Sequence, residues 1–208
     1  MDSENNYDKI SRFYNLISGS FEGRYRKKAL RAFAAGPGES LLEIGFGSGH
    51  SLIEMAKDVG EKGHIAGIDN SSSMYRICMR KLRRRGLENR IHLKCQNILE
   101  ASLEEDFFDG IFLSFTLETF PSEDIKLLMG KIRSWLKPGG RICILSMAES
   151  VQRTLLYKMY LWSHKTFPRI IDCRPINPEM ILRDGGFSIK KSEHLKIYDL
   201  PVHIVLGE

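Results

Sequence analysis

The chain has 208 residues, 42% of them hydrophobic and 27% charged, with a formal net charge of +5, which is enough to bury the core of one domain without disulfide or metal staples. No apolar run approaches the roughly twenty residues of a membrane span, and the first residues carry neither the basic nor the apolar region of a secretory signal. Cys78, Cys95, Cys143 and Cys173 are too scattered for a C-x-x-C zinc or redox pair, so a single cytoplasmic domain with buried thiols and no metal is expected.

Within residues 1–35, Tyr7, Ile10, Tyr14 and Ile17 share one helical face, which suits either packing on the domain or covering a pocket. The run Leu41-Leu42-Glu43-Ile44 reads as a short strand, and Gly45-Phe46-Gly47-Ser48-Gly49 as the turn from it into a helix. Alternating glycines remove the side chains that keep a ligand from backbone N–H groups, and the following helix offers its positive end. A second strand, Ile65-Ala66-Gly67-Ile68-Asp69, ends on a carboxylate about twenty residues on, where α/β folds hold a ribose. A dinucleotide fingerprint counted from Gly45 needs glycine at position 50, where His50 stands. The loop therefore reads as a nucleotide-cofactor site that disfavours a pyrophosphate.

Met55, Ala56 and Val59 mark one helix, Met74 through Leu82 a second, and Ile125, Leu128, Met129, Ile132, Trp135 and Leu136 a third. Strands are expected at Ile91–Cys95, Gly110–Ser114 and Gly140–Leu145. Lys137-Pro138-Gly139-Gly140 reads as a glycine-capped helix end and a turn. Strands and helices in alternation imply a parallel α/β sheet with right-handed crossovers. Residues 147–180, with Pro168, Pro175 and Pro178, form an excursion too long for a plain crossover. Its stretch with Leu155, Tyr157, Met159, Tyr160, Leu161, Trp162 and His164 is apolar nearly all round, as in a helix buried on two sides or walling a greasy cavity. Phe187–Lys190 and Val202–Leu206 add an antiparallel hairpin.

The acidic-x-Gly-x-Gly-x-Gly loop headed by Glu43, Asp69 after the second strand, and five parallel strands plus a hairpin resemble the class I S-adenosylmethionine-dependent methyltransferases over nearly the whole chain. The resemblance implies an α/β fold with a Rossmann-like, seven-stranded, mostly parallel sheet, an antiparallel C-terminal hairpin and helices on both faces. It also implies S-adenosyl-L-methionine as cofactor. Phe108-Asp109, Ser114-Phe115-Thr116-Leu117-Glu118-Thr119-Phe120 and Leu136-Lys137-Pro138-Gly139-Gly140-Arg141 are similar to the branch of quinone-biosynthesis C-methyltransferases and related small-molecule and lipid methyltransferases. The cofactor contacts so implied are Glu43, Gly45, Phe46, Gly47 and Gly49 in the loop, Asp69, Asn70 and Met74 after the second strand, and Ser114 and Phe115 after the fourth. Asn97 and Ile98 fall around the adenine, although Asn97 reads equally well as a loop residue satisfying its own turn. Residues 1–35 become a helical lid with Tyr14 over the cofactor, and 147–180 a substrate cap with Tyr157, Tyr160 and Trp162 against the acceptor.

No general-base constellation stands out, since the six histidines show no acidic partner pattern. A sulfonium-borne methyl is already activated, so in-line positioning supplies most of the acceleration; Glu118 and His164 are the candidates if the acceptor must lose a proton. Arg76, Arg80 and Arg84 recur at i, i+4 and i+8 in the most basic stretch, the pattern of a solvated helix face. Only Tyr75 is available there for stacking, so nucleic acid is not expected, and a phosphate or a transient membrane-surface contact fits better. The acceptor expected is a small lipophilic or aromatic molecule, quinone-like or lipid-like. RNA or protein methylation, and cofactor binding without turnover, stay open as alternatives.

Overall fold

The computed structural model describes residues 23–149, 174–197 and 200–208. A helix over 23–33 (α1) leads into β1 (Ser40–Ile44), α2 (His50–Val59), β2 (His64–Asp69), α3 (Ser72–Arg83) and β3 (Ile91–Cys95). Then come β4 (Phe108–Ser114), α4 (Ser122–Trp135), β5 (Leu136–Met147), α5 (Pro178–Asp184), β6 (Ile189–Ile197) and β7 (Leu200–Gly207). The seven strands form one sheet in the order β3-β2-β1-β4-β5-β7-β6. The first five run parallel, and β7 is antiparallel to both its neighbours. Because consecutive strand residues face opposite ways, Leu42 and Ile44 join α4 residues Leu128 and Ile132 in one core. Leu41 turns to the other face and packs with Phe33 of α1 and Leu52 of α2. A parallel sheet covered on both faces is the Rossmann-like arrangement expected, and it aligns the carboxyl ends of β1, β2 and β4, where open α/β sheets bind ligands.

Arg141 docks α1 onto this sheet. Its guanidinium pairs both oxygens of Glu39, at 2.9 and 2.7 Å, donates to the carbonyls of Phe33 (2.6 Å) and Ala34 (3.0 Å), and lies over the Phe33 ring. The planar fork satisfies the end of α1 and a carboxylate at once, which an ammonium cannot do.

Several sequence expectations are corrected. Helix α4 ends on Leu136 in extended conformation, not on a glycine cap. Lys137-Pro138-Gly139-Gly140 belongs to β5, bulging between the pairs Phe108↔Leu136 and Gly110↔Arg141, and Lys137 reaches both Asp109 oxygens at 2.8 Å. Pro178 begins α5 instead of breaking a loop: Asn177 caps the helix by accepting from the Met180 amide at 3.1 Å, and proline at the first position gives up only an N–H that has no intrahelical partner. Cys95 is exposed, whereas Cys78 and Cys143 are buried. No helix among the described residues is long and apolar enough to cross a membrane.

Candidate active site at the glycine loop

β1 hands the chain to a turn whose glycines 45, 47 and 49 all have positive φ. At Gly49, which caps α2, a Cβ would collide with Cys78 Sγ, so the loop lies tight on α3. Gly47 differs: at φ 50, nothing lies within 4 Å of where a Cβ would stand. The first is glycine for packing, the second leaves a backbone surface open.

Asp69, at the end of β2, organises this turn. Its Oδ2 accepts the Gly47 amide and its Oδ1 the Ser71 amide, both at 2.8 Å. Ser71 in turn caps α3 by accepting from Met74 N at 3.3 Å. Asn70 is exposed beside them, and Met74 is 38% exposed in the first turn of α3. From that helix Lys81 donates to the Ser48 carbonyl at 2.7 Å and lies 3.1 Å from His50 Nε2. For Nε2 to accept, His50 is neutral and carries its proton on Nδ1, which donates to Ser48 Oγ at 2.9 Å. Burial and the Lys81 charge both hold His50 below its ordinary value, and burial holds Lys81 below its own.

Beneath the turn, Glu43 is 2% exposed. The Ser51 hydroxyl and the Leu52 amide hydrogen-bond its carboxyl and Arg26 attracts it, yet burial dominates and pushes its pKa up to about 8. Glu43 Oε2 has no hydrogen-bond partner among the described residues. Arg26, Glu43, Gly47, Ser51 and Ser114 line a polar cavity of ≈ 120 Å³. Burial and Glu43 together push the neighbouring Cys78 thiol up to about 11, leaving it a packing group.

The turn after β4 closes the far side. Phe115 sits at φ 51, a conformation bulky residues seldom adopt, with its amide donating to Leu145 O at 2.7 Å. Thr116 Oγ1 donates to Ser114 O at 3.0 Å and lies 3.4 Å from Gly45 O, tying the two turns together. Glu118, 1% exposed, accepts the Met147 amide at 3.1 Å and so holds the end of β5.

A family model described as a methyltransferase domain matches residues 41–140, the span from β1 to the bulge of β5. The chain is 30% identical over 156 residues to a ubiquinone/menaquinone biosynthesis C-methyltransferase of Vibrio parahaemolyticus, covering 75% of this chain and 60% of that relative. Over residues 41–140 the chain is thus similar to the methyltransferase-domain family. The corresponding Vibrio vulnificus protein is 33% identical over 137 residues, covering 66% of this chain and 52% of that relative. The match thus spans between half and three-fifths of the length of these two curated relatives. A solved S-adenosylmethionine-dependent methyltransferase from Aquifex aeolicus superposes with a TM-score of 0.63 at 20% identity, covering 88% of each chain, a likeness of fold.

The residues at this turn fit the cofactor that the sequence resemblance implies, S-adenosylmethionine, which presents ribose hydroxyls, an ammonium and a sulfonium. Glu43 offers an orphaned carboxyl oxygen, the kind of group a cation pairs with, and Gly47 an open backbone that a ligand can approach closely. Phe46 is 3% exposed, packed within the core. Asn97 caps the short 3-10 turn Ile98–Glu100, accepting from Leu99 N at 3.0 Å and donating to Glu100 Oε1 at 3.2 Å, and Ile98 is 4% exposed beneath it. Tyr14, Tyr157, Tyr160, Trp162 and His164 lie outside the described residues, as does most of the 147–180 excursion. Sequence reasoning missed Arg26, which no local pattern marks, and Lys81, which lies inside the basic stretch of Arg76, Arg80 and Arg84 expected to be a solvated helix face. The six histidines also hide one acidic partner: His194 Nε2 lies 2.8 Å from Glu179 Oε1.

Proposed function

We propose that this chain transfers the methyl group of S-adenosylmethionine to a small, lipophilic, quinone-like acceptor at the carboxyl end of β1, β2 and β4. The observation that carries the reading is the paired design of the first turn, with an open backbone at Gly47 and a buried, raised-pKa Glu43 lining the same polar cavity. When bound, the cofactor supplies a methyl already activated by its sulfonium. In this reading Asp69 accepts from the ribose hydroxyls while keeping the Gly47 amide, since each carboxylate oxygen has a second lone pair. Glu43 ionises against the cofactor's positive charge, and the backbone of Ser114 and Phe115 borders its methionine half. Lys81, Ser48 and His50 hold the turn in register. Preorganisation of this kind is the main source of rate for a transfer that needs orientation more than proton removal, so no general base is assigned. The quinone-like acceptor rests on the names of the Vibrio relatives.

Methyl-labelled S-adenosylmethionine, incubated with the full chain and separately with a prenylated hydroquinone, phospholipid vesicles, total RNA and a protein extract, tests this. Label is expected in the organic extract of the hydroquinone reaction, with the mass gain of one methyl. Label confined to RNA or protein, or cofactor binding with no label transferred to any arm, overturns the reading.

A further inference from the structure

At the opposite end of the sheet from β3, three side chains with metal-binding atoms converge from three elements. Glu179 lies in the first turn of α5, His194 in β6 and His203 in β7. His194 and His203 are paired directly across the β6–β7 ladder, and their rings stack with centroids 3.9 Å apart and planes inclined by 17°. Glu179 Oε1 is 2.8 Å from His194 Nε2 and accepts from the Ser192 hydroxyl at 2.6 Å. One donor atom of each of the three residues lies within 4.8 Å of the other two, the one such gathering of His, Cys, Asp or Glu among the described residues.

A plain ion pair accounts for Glu179 and His194 but leaves His203 without a role. Its Nδ1 is buried and has no hydrogen-bond partner among the described residues, a costly condition for a polar atom. Opposite it on β5, Ser146 Oγ is buried and equally without a partner. We propose that Glu179, His194 and His203 bind a divalent transition-metal ion of the zinc class, tying α5 to the terminal strand pair. Two imidazoles and one carboxylate select such an ion over magnesium or calcium, which take oxygen donors. Donors around a tetrahedral zinc with bonds of about 2.0–2.2 Å stand about 3.4 Å apart, so modest side-chain rotation closes the set and leaves one position for water. The Ser192 hydroxyl then orients the carboxylate from the second sphere. The site lies several strands from the glycine loop, so its effect is on the stability of this edge of the sheet.

The full chain, stripped by a chelator, is titrated with cobalt and with zinc. One equivalent of cobalt is expected to give the visible d–d absorption of a four- or five-coordinate ion, zinc to displace it, and the thermal midpoint to rise with zinc. His203→Gln and Glu179→Gln should each weaken zinc by more than the roughly 10–100-fold that second-sphere changes cost, and Cys95→Ser should leave it unchanged. Circular dichroism of each variant without metal separates lost ligation from lost folding, and His194→Gln serves if either other variant unfolds. Absence of saturable metal uptake, or uptake unaltered in the ligand variants, overturns the site.

Discussion

Asp69 Oδ2 accepts the amide of Gly47 at 2.8 Å, joining the turn after the first strand to the end of the second across 22 positions of chain. The carboxylate has a scaffolding duty before any ligand arrives, and removing it acts on affinity twice, through the lost ribose contact and through a looser turn. Asp69→Ala should weaken S-adenosylmethionine by at least about 1.5–3 kcal/mol, the value of one hydrogen bond to a charged group. Isothermal calorimetry on the folded variant measures this, and an unchanged dissociation constant removes Asp69 from the site.

The glycines at 47 and 49 should fail in different ways. Gly47→Val places a branched side chain in open space at φ 50, so cofactor binding should be lost while the far-UV circular dichroism stays close to wild type. Gly49→Ala drives a Cβ into Cys78 Sγ and should lower the thermal midpoint more than Gly47→Ala does. Because the clash is with one atom, Gly49→Ala combined with Cys78→Ala should be less destabilised than the sum of the single changes, the non-additivity expected of touching residues.

Glu43 makes stability depend on pH with a definite sign. Its folded pKa of about 8 lies above its ordinary value of 4.5, so the native state holds the proton more firmly than the unfolded chain. The resulting contribution is complete below about pH 4.5 and is lost as pH rises through about 8. Glu43→Gln does not titrate, so its urea midpoint should gain on wild type between about pH 5 and about pH 8 and then run parallel. A variant midpoint that fails to rise relative to wild type over that range contradicts a buried, protonated Glu43. Binding of the cationic cofactor at neutral pH should also release a proton from Glu43, read as a dependence of calorimetric heat on buffer ionisation enthalpy.

Lys81 and Arg76 lie on the same helix, yet only Lys81 touches the turn. Lys81→Met should weaken the cofactor about tenfold, near 1.4 kcal/mol, whereas Arg76→Met, at an exposed position, should change affinity by less than about twofold. Equal effects of the two changes point to a general field of the basic helix and away from a specific clamp.

The parallel half of the fold was legible because its strands keep a recurrent apolar pattern between turns: buried Leu41, Leu42 and Ile44 mark β1, missing only Ser40, and the alternation of Ile91, Leu93 and Cys95 marks the edge strand β3 residue for residue. The far edge was not. β6 runs from Ile189 to Ile197, but Lys190, Lys191 and His194 face water and hide its length. Lys81 was illegible for a related reason, since a lysine that spans to a backbone carbonyl 33 positions away reads locally like its exposed neighbours. Asp69 was found because its spacing from the glycines carries information; Arg26 meets Glu43 only through the docking of α1, which leaves no periodic trace.

The placement of β7 between β5 and β6 has a consequence for how the chain comes together during synthesis. β5 and β6 are translated first, and neither can complete its pairing until the strand that separates them has emerged. In that interval β5, buried on both faces with Ile142 and Ile144 on one and Cys143 and Leu145 on the other, has one open edge, the kind of surface that recruits other chains. Lys190, Lys191 and Glu193 along β6 discourage it from pairing with a stranger. Nascent chains stalled before residue 200 should therefore be the aggregation-prone species, and the ordering of this edge a late, single step closed by Leu200–Gly207.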